Sequence, residues 1–109
     1  MATVQNIYID QGTTYSLALT VSDQFGDVKN LSDYTAAAQM RKSYYSNTAI
    51  DFTAEISAPT TGEVTISLTA EQTSAIKAGR YVYDIEISSE LETIRVLEGI
   101  VVVNPEVTK

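Results

Sequence analysis

The run from Gly79 to Ser88 constrains this chain more than any other stretch. Tyr81, Tyr83, Ile85 and Ile87 alternate without a fault with Arg80, Val82, Asp84, Glu86 and Ser88. Successive side chains of a β-strand leave on opposite faces, so the run reads as a strand with one buried and one solvated face. Ala78-Gly79 supplies a flexible turn into it. Ser89-Glu90-Leu91-Glu92 suits a hairpin return into a partner spanning Thr93 to Val103. A strand this regular, with a partner directly behind it, belongs in the middle of a sheet.

The remaining segments follow the same period. Val4 to Ile9 reads as a short first strand, ending in Ile7-Tyr8-Ile9, and Asp10-Gln11-Gly12 as a turn. Thr14 to Val21 places Tyr15, Leu17, Leu19 and Val21 on one side. Asp23 to Asp27 reads as a turn and Leu31-Ser32-Asp33 as a corner. Tyr34, Ala36, Ala38 and Met40 then point inward, and the small residues among them leave room for the tyrosines of the central strand or for close approach of a facing sheet. Lys42 to Thr48, with Tyr44 and Tyr45, reads as an exposed loop. Ile50 to Ile56 reads as an edge strand with Ile50, Phe52, Ala54 and Ile56 inward. Pro59 to Gly62 breaks the chain before Val64, Ile66 and Leu68. Thr69-Ala70-Glu71-Gln72 has the form of a capping box, predicting a turn or two of helix that ends near Ala78-Gly79. The sum is one all-β domain over residues 1–109, an antiparallel sandwich of about seven strands with one short helical corner.

The last strand departs from the rule. Arg95 and Glu98 sit three apart and cannot share a face in an unbroken strand, so a bulge is expected around Leu97 to Gly99, with Gly99 its natural occupant. Beyond it, Ile100-Val101-Val102-Val103 is apolar on both faces. Two readings stay open. Either the chain's own loops or first strand cover both faces, or Ile100 and Val102, with Ile7, Tyr8 and Ile9 beside them, meet a neighbouring subunit.

Composition narrows the chemistry. There is no cysteine, so disulfides and thiolate metal sites drop out. There is no histidine, which removes the commonest general base and the commonest transition-metal ligand together. A net charge of −7 is wrong for a phosphate backbone, so no nucleic-acid partner is expected. Met1 to Gln11 lacks the basic head and apolar run of a signal peptide, and no stretch reaches the roughly 18 apolar residues of a membrane span. The expectation is a soluble chain made without a secretion signal and without membrane insertion. Asp84, Glu86 and Glu98, interspersed with Arg80 and Arg95, read as a solvated sheet face with cross-strand ion pairs rather than a glycosidase pair. Asp23 and Asp27 around Gly26 lack the spacing and closing glutamate of a calcium loop. No Gly-x-Ser-x-Gly elbow or glycine-rich phosphate cradle is present, so neither catalytic residue nor cofactor nor metal is assigned. Tyr8, Tyr44 and Tyr45 are the tyrosines expected at the surface, where such rings favour contact with protein or carbohydrate.

Two resemblances extend the reading. The helical corner before Tyr81 resembles the E–F corner of immunoglobulin-type sandwiches, where an early tyrosine of strand F bonds back to the corner backbone, although the Cys–Trp–Cys core of antibody domains is missing. Ile9-Asp10-Gln11-Gly12-Thr13-Thr14-Tyr15-Ser16-Leu17 is similar to the opening of the N-terminal domain of phage baseplate upper proteins and related small Ig-like virion proteins. So are the turn Asp23 to Val28, the corner Asn30 to Ala36, Gly62 to Leu68, Ala78 to Ile85 and the close Leu97 to Thr108. The resemblance implies a virion-located structural protein of a tailed phage, with no catalytic residue. It would contact other virion proteins and its own copies as a homo-oligomer in a tail, baseplate, neck, fibre attachment or capsid decoration. The chain stops where baseplate proteins continue into a receptor-binding-protein attachment region. The alternative is an adhesive module that binds host-surface glycan through its loop tyrosines.

Overall fold

In the computed structural model, which describes residues 3–22, 25–43 and 45–107, the alternating run is strand β8 (Gly79–Ser88), and Tyr81, Tyr83, Ile85 and Ile87 are all buried. It lies inside the larger sheet, antiparallel to β9 (Thr93–Asn104) on one side and β4 (Thr35–Arg41) on the other. The short β5 (Ile50–Asp51) follows β4, while β1 (Thr3–Val4) and β2 (Ile7–Asp10) run parallel to β9 along its far side. The smaller sheet has the order β3 (Tyr15–Thr20), β7 (Glu63–Leu68), β6 (Thr53–Ala58), all antiparallel. The inner faces of the two sheets close on one core, centred on Met40, Val64, Ile66, Ile85, Ile87 and Val101. This is the expected immunoglobulin-like β-sandwich, with the first and last strands parallel.

The number of strands differs because two expected ones are each broken. The first breaks at Gln5-Asn6, between β1 and β2. The stretch from Ile50 to Ile56 does not stay in one sheet. Ile50 and Asp51 pair with Met40 and Gln39 in the larger sheet, and Thr53 and Ala54 pair with Ser67 and Ile66 in the smaller. The changeover is Phe52, whose N–H donates to the Ala38 carbonyl at 3.0 Å. Its buried ring meets Tyr83 edge-on at 6.5 Å between centroids. Burying that ring between the layers draws the chain across.

The bulge is real but lies upstream of the expected place. Ile85 pairs with Leu97 and Glu86 with Arg95, so Val96 is the extra residue. Val96 and Leu97 then both face inward, and Arg95 and Glu98 share the outer face. Gly99 stays in regular register opposite Tyr83.

At the crossover from β7 to β8, both hydrogen bonds of the capping box form: Gln72 N–H to Thr69 Oγ1 at 3.1 Å and Thr69 N–H to Gln72 Oε1 at 2.8 Å. The helix, α1 (Ala70–Ser74), ends sooner than expected, with Ala75 as its C-cap, and Gly79 opens β8 instead of capping the helix. The early stop lets Ile76 turn into the core. Gln11 Nε2 then holds the Ile76 carbonyl at 2.7 Å, and Gln11 Oε1 accepts the Glu106 N–H at 3.0 Å. One turn glutamine thus ties the corner to the C-terminal segment.

Candidate functional site

The expected interface residues separate once β2 is laid against β9. Its register pairs Ile7 with Val101, Tyr8 with Val102 and Ile9 with Val103. Ile7 and Ile9 are core, 2% and 1% exposed, so they are not available to a neighbouring subunit. The simple alternation of a half-buried strand accounts for them. Tyr8, between them, points outward and is 66% exposed. The far side of β9 is likewise not an open edge, because β1 and β2 pair with it.

Ile100 and Val102 are half-buried on the outer face of the larger sheet, with Val101 and Val103 buried beneath. Val102 lies between Tyr8 and Arg80, and Ile100 lies opposite Val82. Tyr8, Val102, Ile100 and Val82 therefore form a continuous apolar patch across three columns of the sheet. Val82 was missed by the reading of the sequence, although it is the single apolar residue among the outward positions of β8. Exposed Val4 borders the patch opposite Glu98.

Below the patch the face is charged. Arg95 Nε lies 3.2 Å from Asp84 Oδ2 and its Nη1 lies 3.7 Å from Glu98 Oε1. The first is a cross-strand ion pair of the kind expected for this face, the second runs along β9 itself across the bulge, and partly solvated pairs of this kind contribute about 0–1 kcal/mol. Of the loop tyrosines, Tyr45 is 94% exposed and Tyr44 lies outside the described residues. So do Asp23 and Gln24, on which half of the Asp23–Asp27 turn rests, while Ser22 and Val28 bridge across it.

Two buried phenols lock the strands that carry this face. Tyr81 donates its hydroxyl to the Lys77 carbonyl at 2.6 Å, four residues back in the corner, as in immunoglobulin-type domains. Tyr83 follows two residues on, where antibody domains place a core cysteine. It reaches the other way and donates to the Gln5 carbonyl at 2.5 Å, at the break between β1 and β2. Gly99 makes that contact possible, since a Cβ there would stand 2.2 Å from the same carbonyl oxygen.

Burial, and after it the nearby Tyr15 phenol, pushes Tyr83 from 10.0 up to about 12, and burial also raises Tyr81 and Tyr15. The folded state thus holds these protons more tightly than the unfolded chain. Their contribution to stability is complete below the unfolded value of about 10 and is lost as pH rises toward the folded values. That contribution should be level up to that point and fall between about 10 and 12. The absorbance of phenolate followed beside far-UV circular dichroism checks this. Ionisation of every tyrosine near its ordinary value, with the fold intact, would contradict it.

No protein-family model matches the chain, and no curated protein matches it in sequence. Among solved structures, InlP of Listeria monocytogenes superposes with a TM-score of 0.50 at 14% identity over 94% of this chain, which spans 28% of InlP. A VGSC beta subunit, solved in work on multimeric cell-adhesive interactions of such subunits, gives 0.49 at 14% identity over 94% of this chain and 92% of its own. Murine CRIg gives 0.42 at 7% identity over 93% and 92%. The likeness to InlP, at 14% identity, speaks to fold alone, and the sheet order and the tyrosine corner are those of an immunoglobulin-like β-sandwich.

Proposed function

We propose that this domain is a non-enzymatic structural part of a tailed-phage particle, and that it docks on a neighbouring virion protein through the outer face of its larger sheet. The observation that carries the reading is the patch of Tyr8, Val102, Ile100 and Val82, in which an exposed aromatic residue stands beside half-buried branched side chains. Aromatic residues are enriched at the centre of protein interfaces, where apolar neighbours exclude water, and the charged lattice below supplies a polar rim. Full burial of a branched side chain is worth roughly 1.5–3 kcal/mol, and Ile100 and Val102, already mostly covered, have about a third of that or less left to gain. The resemblance to small Ig-like virion proteins supplies the setting: tail, baseplate, neck, fibre attachment or capsid decoration.

Replacing Ile100 and Val102 together with Lys should leave the domain folded by circular dichroism and exclude it from particles, as read by mass spectrometry of purified virions. Tyr8→Lys changes a side chain that is mostly in water, so it should keep the fold in any case and still weaken incorporation. Normal incorporation of both variants would overturn the reading. So would hydrolysis of host polysaccharide that Glu86→Gln or Glu98→Gln abolishes. Glycan-array binding lost on Tyr45→Ala, with incorporation intact, would transfer the function to the loop tyrosines.

A further inference from the structure

β3 ends the smaller sheet. Its ladder runs to β7, and among the described residues no strand pairs with its other side. This is the place that strand A fills in the four-stranded sheet of constant-type immunoglobulin domains, and here the first strand has gone to β9 instead. Val21 N–H donates to the Gly62 carbonyl at 2.8 Å, which fixes the phase. Residues in step with Val21 turn N–H and C=O toward β7, and those between them turn theirs away. The main-chain groups of Ser16, Ala18 and Thr20 therefore form the outer edge, and all three residues are exposed.

The side chains show the same incomplete cover. Tyr15, Leu17 and Leu19 face the core yet stay half-buried, while their partners Leu68, Ile66 and Val64 are buried. An open cleft of about 570 Å³ lies beside Leu19, walled by Val21, Ile94 and Val96 and, on its polar side, by Lys29, Glu92 and Arg95. Sheet edges are ordinarily blunted by charge, proline, bulges or brevity. The opposite edge of this sheet has such guards: β6 carries Glu55, its register shifts between Glu55 and Ala58, and Pro59 follows. β5, at the end of the larger sheet, is two residues long. β3 has none of these, and from Gly12 to Ser22 the chain contains neither charge nor proline.

Unpaired main-chain groups specify a strand as the ligand, and the missing charge indicates which strand. Copies of a molecule of net charge −7 repel one another overall, whereas two β3 strands meet with no like charges across from one another. We propose that β3 pairs antiparallel with β3 of a second copy about a two-fold axis through Ala18. In that register Ser16 lies opposite Thr20, Leu17 opposite Leu19 and Tyr15 opposite Val21, with the small Ala18 against itself. The outward groups of Ser16, Ala18 and Thr20 exchange main-chain hydrogen bonds. The half-buried Leu17 and Leu19 gain cover, and the contact closes at two copies. A strand of six residues spans only about 20 Å, so the dimer depends on concentration in solution.

Sedimentation of the whole chain from about 1 μM to about 1 mM spans weak to moderate affinities and should show a monomer–dimer equilibrium. Ala18→Lys should raise the dissociation constant at least about tenfold, or about 1.4 kcal/mol, with the dichroism spectrum unchanged. Ser16→Lys should act in the same direction. The amides of Ser16, Ala18 and Thr20 should exchange quickly in dilute solution and slowly when concentrated. Tyr8→Lys should leave the equilibrium where it was, which separates this contact from the face assigned to virion docking. A monomer throughout the range, or a dimer that Ala18→Lys and Ser16→Lys leave intact, would overturn the proposal. So would amides that show no concentration-dependent protection, or a dimer that Tyr8→Lys breaks instead.

Discussion

Tyr81→Ala should destabilise the domain by about 3–5 kcal/mol, as aromatic truncations in cores do. The ring is 6% exposed at the start of the central strand, and the cavity left by its removal would lie where the corner, β8 and β9 meet. Tyr81→Phe keeps the ring and removes only the bond to the Lys77 carbonyl. That change should cost about 1 kcal/mol, the net worth of one hydrogen bond. Lys77 is exposed, so water can take over its carbonyl. Lys42 Nζ lies 4.8 Å from the ring centroid, a further contact that the Phe variant keeps and the Ala variant loses. Urea titrations with an unchanged slope would show that the loss belongs to the folded state. A fully tolerated Tyr81→Ala would remove the corner from its place in holding the fold.

Alternation made much of this architecture legible, and its limits explain what was not. It reports which way a residue faces, not which strand it pairs with. Phe52 keeps the inward phase of Ile50, Ala54 and Ile56 while the chain changes sheets beneath it, because both sheets face the same core. The bulge was legible from Arg95 and Glu98, whose spacing requires an extra residue. Its position was not, since glycine drew attention to Gly99 while two adjacent inward residues, Val96 and Leu97, absorb the shift. Ile7 and Ile9 enter one of the two open readings of the last strand because Ile7-Tyr8-Ile9 is an unbroken apolar run, yet only Tyr8 leaves the core. The patch proposed for docking was half legible: Ile100, Val102 and Tyr8 stood out as apolar residues in a strand context. Their junction with Val82 depends on registers between segments far apart in the chain.

The glycine that does not make the bulge has another use, and its replacement should have a large effect. Gly99→Ala would place a Cβ 2.2 Å from the Gln5 carbonyl oxygen, 2.9 Å from its carbon and 3.3 Å from Asn6 Oδ1. The obstacle is main chain, so no side-chain rotation relieves it, and the connection between β1 and β2 must lift. That connection is held at several points. Gln5 N–H donates to the Glu98 carbonyl at 2.8 Å, its own carbonyl accepts from Tyr83, and Asn6 Oδ1 accepts the Ile100 N–H at 3.2 Å. Crowding of a packed site costs about 1–3 kcal/mol, and stranding the buried Tyr83 hydroxyl adds about 1–3 kcal/mol. Together they predict a loss of about 2–6 kcal/mol, a large share of the 5–15 kcal/mol typical of a whole domain. The two contributions can be separated. In a Tyr83→Phe background there is no hydroxyl to strand, so Gly99→Ala should cost less by about 1 kcal/mol or more, a coupling expected of groups that share one partner. Strict additivity would mean that Tyr83 and Gly99 do not meet through Gln5. Lifting β1 and β2 also carries Tyr8 away from Val102, so if the proposed docking face is right, the same substitution should impair incorporation into particles although Gly99 lies on the inner side of the sheet.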